Sequence, residues 1–109
     1  MPGRADVLQG TMDLLILKAL SIGPMHGWGI GERIRAMSQD VFQIGQGSLY
    51  PALHRLELRD WIASAWQTTE HNRIARVYEL TPTGERRLTE EVESWQRYAG
   101  AVQRVLGAR

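Results

Sequence analysis

The C-terminal part of the sequence carries an apolar stripe that restricts how the chain can fold. Its members recur at spacings of 4, 3, 4, 3 and 4 residues, the a/d pattern of helices that pack side by side; they are Leu88, Val92, Trp95, Ala99, Val102 and Leu106. Thr81 and Pro82 mark its start as a cap and a first-turn proline. A chain of 109 residues has only a modest core with which to cover this stripe. We therefore expect a homodimer, with residues 1–81 as one domain and residues 82–109 as its dimerisation helix.

Two helices are predicted at the beginning of the chain. The first is TMDLLILKALS, residues 11–21, with Thr11 as its N-cap and Pro24 beyond its end. The second is GWGIGERIRAM, residues 27–37, in which each of three glycines costs about 1 kcal/mol of helix stability relative to alanine. Tertiary packing must therefore hold the second helix, and its small residues permit a close crossing.

A third helix is predicted within GQGSLYPALHRLELRDWI, residues 45–62. Ser48 can serve as its N-cap, which places Pro51 in the first turn, where a missing N–H is tolerated. One side of this helix is apolar and consists of Leu49, Ala52, Leu53 and Leu56. The other side is polar, so the second and third helices have the outline of a helix-turn-helix.

A β-hairpin is predicted after the third helix. WIASAWQ, residues 61–67, and IARVYEL, residues 74–80, are rich in aromatic and β-branched residues, and the polar TTEHNR separates them. The fold class is thus mainly α with a small β-hairpin: a winged helix-turn-helix followed by a long C-terminal helix.

Composition excludes several classes of protein. The chain has no cysteine, which excludes disulfides and thiolate zinc sites and favours the cytoplasm. No apolar run is long enough to span a membrane, and the first residues lack a signal-peptide pattern. The histidines, His26, His54 and His71, are too widely separated to indicate a metal site. With no nucleophile–base pair and no phosphate-binding glycine loop, we expect neither an enzyme nor a cofactor.

Four motifs resemble the PadR family of bacterial transcriptional regulators, in the order and at the spacing of that family. They are GTMDLLILKAL at 10–20, GPMHGWGI at 23–30, GSLYPALHRLE at 47–57 and YELTPTGERRL at 78–88. The resemblance implies a repressor that dimerises through its C-terminal helix and its first helix, where Leu15 is the candidate contact. It also implies binding to pseudo-palindromic operators and, as in several members, release of DNA by a small aromatic or drug-like effector. The chain is similar to the short type, with a single C-terminal helix.

The candidate DNA-binding residues lie in the third helix and the wing. In the helix we expect Ser48, Tyr50 and Arg55 to contact phosphate or sugar, and Pro51 and His54 to approach base edges. Gln46 could join either group, and the alternative for the whole face is simple solvation.

In the wing the candidates are His71, Asn72, Arg73 and Arg76. Arg76 could instead pair with an acid such as Glu79. The wing carries Ile74 and Ala75 where the family commonly has positive charge, which predicts a shallow salt dependence of DNA binding.

Trp95 has two interpretations. It packs as core at the dimer seam, or it joins Ala99 in a site where a flat effector stacks. Two other functions remain open at this point: an effector-independent DNA-binding protein, and a winged helix used for protein interaction.

Overall fold

The computed structural model describes residues 4–108, with side chains from residue 10 onward. Its elements are α1 (Arg4–Ile22), β1 (Met25–His26), α2 (Gly27–Met37), α3 (Gln46–Leu58), β2 (Ile62–Thr68), β3 (Ile74–Leu80) and α4 (Pro82–Leu106). This order confirms the predicted winged helix with a long C-terminal helix. None of the described helices has the length and apolar character needed to cross a membrane.

The predicted hairpin is part of a three-stranded antiparallel sheet with the order β1-β3-β2. Strands β2 and β3 pair from Ile62 opposite Leu80 to Thr68 opposite Ile74. The short β1 was not predicted, because two residues are too few to show an alternating pattern. Its second residue, His26, pairs with β3 and is also the N-cap of α2, since an extended cap conformation suits both roles.

The core lies between the first three helices and the inner side of the sheet. Its twelve members are each at most 6% exposed: Ile16, Leu17, Ala19, Leu20, Ile30, Ile34, Leu49, Ala52, Leu53, Leu56, Ile62 and Tyr78. The four that come from α3 are those predicted for its apolar side. Burial of this side fixes which side of α3 faces outward.

The predicted starts of two helices are wrong. Helix α1 begins at Arg4, so Thr11 lies inside it and is not a cap; the residues before Thr11 include good helix formers, which extend the helix. Helix α3 begins at Gln46 with Gly45 as its N-cap, and the carbonyl of Gly45 accepts hydrogen bonds from the N–H groups of Ser48 and Leu49. Ser48 is therefore inside α3 and caps nothing.

The N-terminus of α4 is fixed to the base of the wing. As predicted, Thr81 caps the helix, accepting a hydrogen bond from the Gly84 N–H at 2.9 Å. The Thr81 hydroxyl also donates to the carbonyl of Asp60 at 2.6 Å. A side chain at position 84 would overlap the carbonyl oxygen of Trp61, so only glycine permits this approach.

Candidate nucleic-acid interface

The outward side of α3 forms a continuous exposed surface. Its members recur every three or four residues, and we call them the α3 outer face: Gly47, Tyr50, Pro51, His54 and Leu58. Tyr50 is 41% exposed and Leu58 75%. The predicted residues Gln46 and Ser48 are also exposed, at the beginning of the helix. The structure thus brings most of the predicted α3 residues to one accessible surface.

Pro51 lies deeper in α3 than predicted, because the helix starts earlier. A proline has no N–H, so the carbonyl of Gly47 loses the helical donor that residue 51 would otherwise supply. Gly47 and Pro51 are both exposed on the α3 outer face. The α3 outer face therefore includes a backbone carbonyl without its regular helical donor.

Arg55 is held inside the domain. Its Nη2 lies 2.5 Å from Oδ1 of Asp13 in α1, and the two side chains are only 26% and 17% exposed. The guanidinium points to α1 and not along the α3 outer face. Because a partly buried, charge-assisted contact of this kind fixes geometry, Arg55 and Asp13 set the position of α3 against α1.

Arg76 also has an internal partner, an acid other than the Glu79 named above as an alternative to DNA contact. Its Nη2 lies 3.3 Å from Oε2 of Glu57 in α3. Its Nε donates to the hydroxyl oxygen of Ser64 at 2.7 Å, and this hydroxyl donates to Glu57 at 2.6 Å. The guanidinium also lies 5.7 Å from the ring centre of Trp66. This network ties the wing to α3.

The tip of the wing presents the remaining predicted residues. The N–H of Thr69 donates to the Arg73 carbonyl at 2.7 Å and closes the turn. Asn72 has a φ of 57°, a left-handed conformation that asparagine tolerates well. His71, Asn72 and Arg73 are all exposed. Among the side chains that the structure describes, none forms an ion pair with Arg73, which leaves this arginine available to a ligand.

Tyr50 connects the α3 outer face to the beginning of α2. Its ring packs so closely on Gly27 that a Cβ there would lie 2.7 Å from Cε1 and 2.9 Å from the hydroxyl oxygen. This is one of the close contacts that the small residues of α2 were predicted to permit, because the absence of a side chain at position 27 leaves room for the Tyr50 ring.

Tyr78, in the core behind this surface, is buried, and burial raises the pKa of its phenol.

Two exposed tryptophans beside this surface were not predicted as functional residues. Trp28 in α2 is 58% exposed and Trp66 in β2 is 66% exposed. The alternation of side chains along the strands could have indicated Trp66, because it pairs with Arg76 and the two side chains lie on the same side of the sheet. Trp28 offered only its unusual setting between two glycines.

Three of the six predicted dimerisation residues in α4 are exposed, and the other three are half-buried. Leu88 packs partly against the core and Val92 and Ala99 are half-buried, whereas Val102 is 40% and Leu106 79% exposed. Leu15 lies elsewhere: it lines a cavity of about 320 Å³ between α1 and the α2–α3 loop.

Trp95 is not core within one chain. It is 46% exposed, and its ring centre lies 5.8 Å from that of Tyr98. The two rings border a cleft of about 330 Å³ between α1 and α4. Ala99, predicted to share an effector site with Trp95, does not line this cleft.

Within the described part of the chain, no three histidine, aspartate or glutamate side chains come together in a way that could hold a metal ion. His26 has a structural task instead, since its Nδ1 accepts a hydrogen bond from the Gly29 N–H at 3.1 Å.

The model of the transcriptional regulator PadR-like family matches residues 16–90. The chain belongs to this family. The matched range runs from the core of α1 through α3 and the wing into the first turns of α4, which confirms the resemblance found in the sequence motifs. The PadR-like family is one of transcriptional regulators rather than enzymes.

Individual relatives agree with this assignment. The transcriptional regulator Rv3488 of Mycobacterium tuberculosis is 32% identical over 94 residues, covering 86% of this chain and 84% of its own. A transcriptional regulator from Clostridium thermocellum has a similar structure, with a TM-score of 0.82 and 28% identity over 91% of this chain and 96% of that chain. A PadR family regulator from Eggerthella lenta superposes with a TM-score of 0.79 and 25% identity, over 96% of this chain and 89% of that chain.

Proposed function

We propose that this PadR-like regulator is a cytoplasmic, homodimeric repressor that binds a pseudo-palindromic DNA operator. In each copy the α3 outer face enters a major groove, and the wing lies along the neighbouring backbone. The observation that carries the proposal is the α3 outer face itself. It is exposed along its whole length while the opposite side of the helix is fully buried, and the exposed Arg73 lies on the adjacent wing.

The two kinds of contact are divided between side chains of α3. Pro51 and His54 lie where an inserted helix approaches base edges, so we assign them to sequence reading. Gln46, Ser48 and Tyr50 lie nearer the helix start, and we assign them to the sugar-phosphate backbone, which sets the position of the helix.

The arginines have different tasks in this proposal. Arg73, with His71 and Asn72 beside it, contacts phosphate from the wing tip. The side chains of Arg55 and Arg76 are engaged with Asp13 and Glu57, so we assign them to positioning α3 and the wing rather than to clamping phosphate. A wing with one free arginine has few phosphate contacts, which again gives a shallow salt dependence.

A salt series tests this proposal. Fluorescence anisotropy is measured with a labelled duplex from upstream of the protein's own gene and with a scrambled duplex of equal length. We expect tighter binding to the upstream duplex, and Arg73→Ala to lower the slope of log affinity against log salt by about 1. Arg97→Ala removes the same charge from an exposed position on α4 and serves as the control. Equal binding of both duplexes by the wild-type protein contradicts sequence-specific regulation, and binding of neither duplex favours a protein-interaction module.

The division of contacts has its own test. Tyr50→Ala is expected to weaken binding to the upstream and scrambled duplexes alike, whereas His54→Ala reduces only the preference between them. If both variants change the two affinities by equal factors, the division is wrong.

Dimerisation is assigned to α4. The exposed apolar residues of its second half form an unpartnered stripe within one chain, and a symmetric second copy covers such a stripe without leaving apolar surface in water. Binding to a pseudo-palindromic operator requires that the twofold axis of this dimer place both α3 helices on one side.

An effector site at the α1–α4 cleft is a second element of the proposal. The exposed rings of Trp95 and Tyr98 beside this cleft favour a flat, aromatic or drug-like ligand. Quenching of tryptophan fluorescence by planar compounds, lost in Trp95→Ala while the dimer persists, supports the site. Quenching that survives Trp95→Ala, or no quenching, favours an effector-independent DNA-binding protein.

A further inference from the structure

A groove with two exposed tryptophans runs between the beginning of α2 and the wing. Its volume is about 410 Å³. We call it the tryptophan groove and define it by His26, Gly27, Trp28, Tyr50, Trp66 and Arg76, all of which line it. The indole rings of Trp28 and Trp66, 58% and 66% exposed, are its largest apolar surfaces. Exposed tryptophan is uncommon on a surface that contacts only water.

The groove is continuous with the α3 outer face. Tyr50 belongs to both, because its exposed ring lies on α3 and packs over the backbone of Gly27 in the groove. A ligand that contacts Tyr50 on the α3 outer face therefore also reaches the edge of the groove.

The residues that the structure places along the groove suit a polyanion through their polar donors more than through net charge, because the only arginine among them, Arg76, is paired with Glu57 of α3 at 3.3 Å. Among the described residues, those that line it include no carboxylate, although the sequence contains 12 acidic residues. The first turn of α2, which opens onto the groove, also has no acidic residue. The guanidinium of Arg76 lies over the Trp66 ring. The His26 ring is stacked on Trp28, with 6.3 Å between the two ring centres. Both indoles are thus accompanied by a group able to donate a hydrogen bond.

We propose that the tryptophan groove holds the sugar-phosphate backbone of one strand of the duplex, with Trp28 and Trp66 packed against deoxyribose. This inference rests on the proposed function and adds to it a second, largely uncharged part of the DNA-binding surface. Packing of indole on sugar removes apolar surface from water and releases no counterions. The contact therefore strengthens binding without steepening its salt dependence, and it compensates for a wing that carries Ile74 and Ala75 in place of basic residues.

The test compares alanine and phenylalanine variants of the two tryptophans. Trp28→Ala and Trp66→Ala are each expected to weaken binding to duplex DNA about 10-fold, a typical loss for a well-packed aromatic contact. The slope of log affinity against log salt stays unchanged, in contrast to Arg73→Ala. Trp28→Phe and Trp66→Phe retain most of the affinity because they keep an aromatic face. Ile22→Ala, at a 57% exposed position outside the groove, is the control and leaves binding unchanged.

A spectroscopic measurement on the unaltered fold accompanies these variants. The chain has four tryptophans, so incorporation of 5-fluorotryptophan gives four ¹⁹F resonances, assigned through single Trp→Phe variants. Titration with duplex DNA is expected to shift the resonances of Trp28 and Trp66, and not that of Trp61 at the base of the wing.

The outcomes separate this inference from the function on which it rests. If the protein binds DNA but both resonances stay unmoved and both alanine variants bind like the wild type, the groove is not a DNA site and the proposed function stands. If the wild-type protein binds no duplex DNA, both proposals fail. Shifts caused by a planar compound or a protein partner, with none caused by DNA, also overturn the assignment to a DNA strand.

Discussion

Helices α3 and α4 are both amphipathic, yet only α3 finds a cover for its whole apolar side within one chain. Leu49, Ala52, Leu53 and Leu56 of α3 are each at most 2% exposed. From Trp95 onward, the large apolar residues of α4 are 40 to 79% exposed. A helix of 25 residues is about 37 Å long, whereas the shorter dimensions of the molecule are 27 and 23 Å. Apolar periodicity therefore predicts that a side is buried, and the available surface decides whether the same chain or another one buries it.

The largest expected effect is a loss of stability when a side chain is removed from the core that covers α3. Leu53→Ala removes a fully buried side chain and is expected to lower the free energy of unfolding by about 2–5 kcal/mol. Leu58→Ala in the same helix is the matched control, because Leu58 is 75% exposed, and it changes that free energy by less than about 0.5 kcal/mol. Urea denaturation measures both. Equal losses from the two variants contradict the assignment of buried and exposed sides of α3.

The next effect concerns α4 and the second copy of the chain. Val102→Glu places a charge in the proposed dimer seam, and it is expected to weaken the dimer at least about 10-fold. Gln103→Glu adds the same charge at the neighbouring position outside the stripe and leaves dimerisation intact. Sedimentation velocity over a concentration series distinguishes them. A dimer equally resistant to both charges shows that the α4 stripe is not its interface.

A smaller effect, on DNA affinity, is expected when the position of Tyr50 on the α3 outer face is disturbed. Gly27→Ala places a Cβ against the Tyr50 ring, which is exposed enough to turn away. We expect DNA affinity to fall about 10-fold while the free energy of unfolding changes by less than about 1 kcal/mol.

Gly31→Ala is the control for that variant, since its Cβ meets Leu49 at an ordinary 3.5 Å. Unchanged DNA affinity in Gly27→Ala means that the position of Tyr50 is unimportant for binding.

The smallest effect is a pH dependence of the core behind α3. Burial raises the pKa of Tyr78, so the folded state holds the phenol proton more tightly than the unfolded chain does. The resulting stabilisation is complete below the ordinary tyrosine pKa of about 10 and is lost as the pH rises above it. The free energy of unfolding of Tyr78→Phe is therefore expected to fall less steeply at alkaline pH than that of the wild type. Parallel curves for the wild type and Tyr78→Phe in urea denaturation at several pH values exclude this contribution.

The sequence predicted the elements whose period repeats and missed features that depend on distant partners. The apolar sides of α3 and α4 follow from residues three and four apart. The pairing of Arg55 with Asp13 joins residues 42 apart, and that of Arg76 with Glu57 joins residues 19 apart. No local pattern reports such pairs, so the sequence alone places both arginines among the DNA contacts, and only the fold shows their internal partners.

The predictions of where α1 and α3 begin are wrong for a different reason. Thr11 and Ser48 are good capping residues, but the chain before each can also adopt helix, and a cap preference of about 1 kcal/mol does not stop a helix that can extend. At Thr81 the proline that follows and the contacts to Asp60 agree with the local preference, so the prediction there is confirmed.

Selection from a library of random duplexes shows whether this protein reads a twofold-symmetric DNA sequence, and it requires no knowledge of the operator. The wild-type protein is mixed with the library at physiological salt, and the bound DNA is sequenced over successive rounds. We expect enrichment of a pseudo-palindrome whose half-sites lie about one helical turn, or a multiple of it, apart. His54→Ala is expected to change the preferred bases within each half-site. Failure of the wild-type protein to enrich any sequence, or enrichment of a motif without twofold symmetry, contradicts the proposed function.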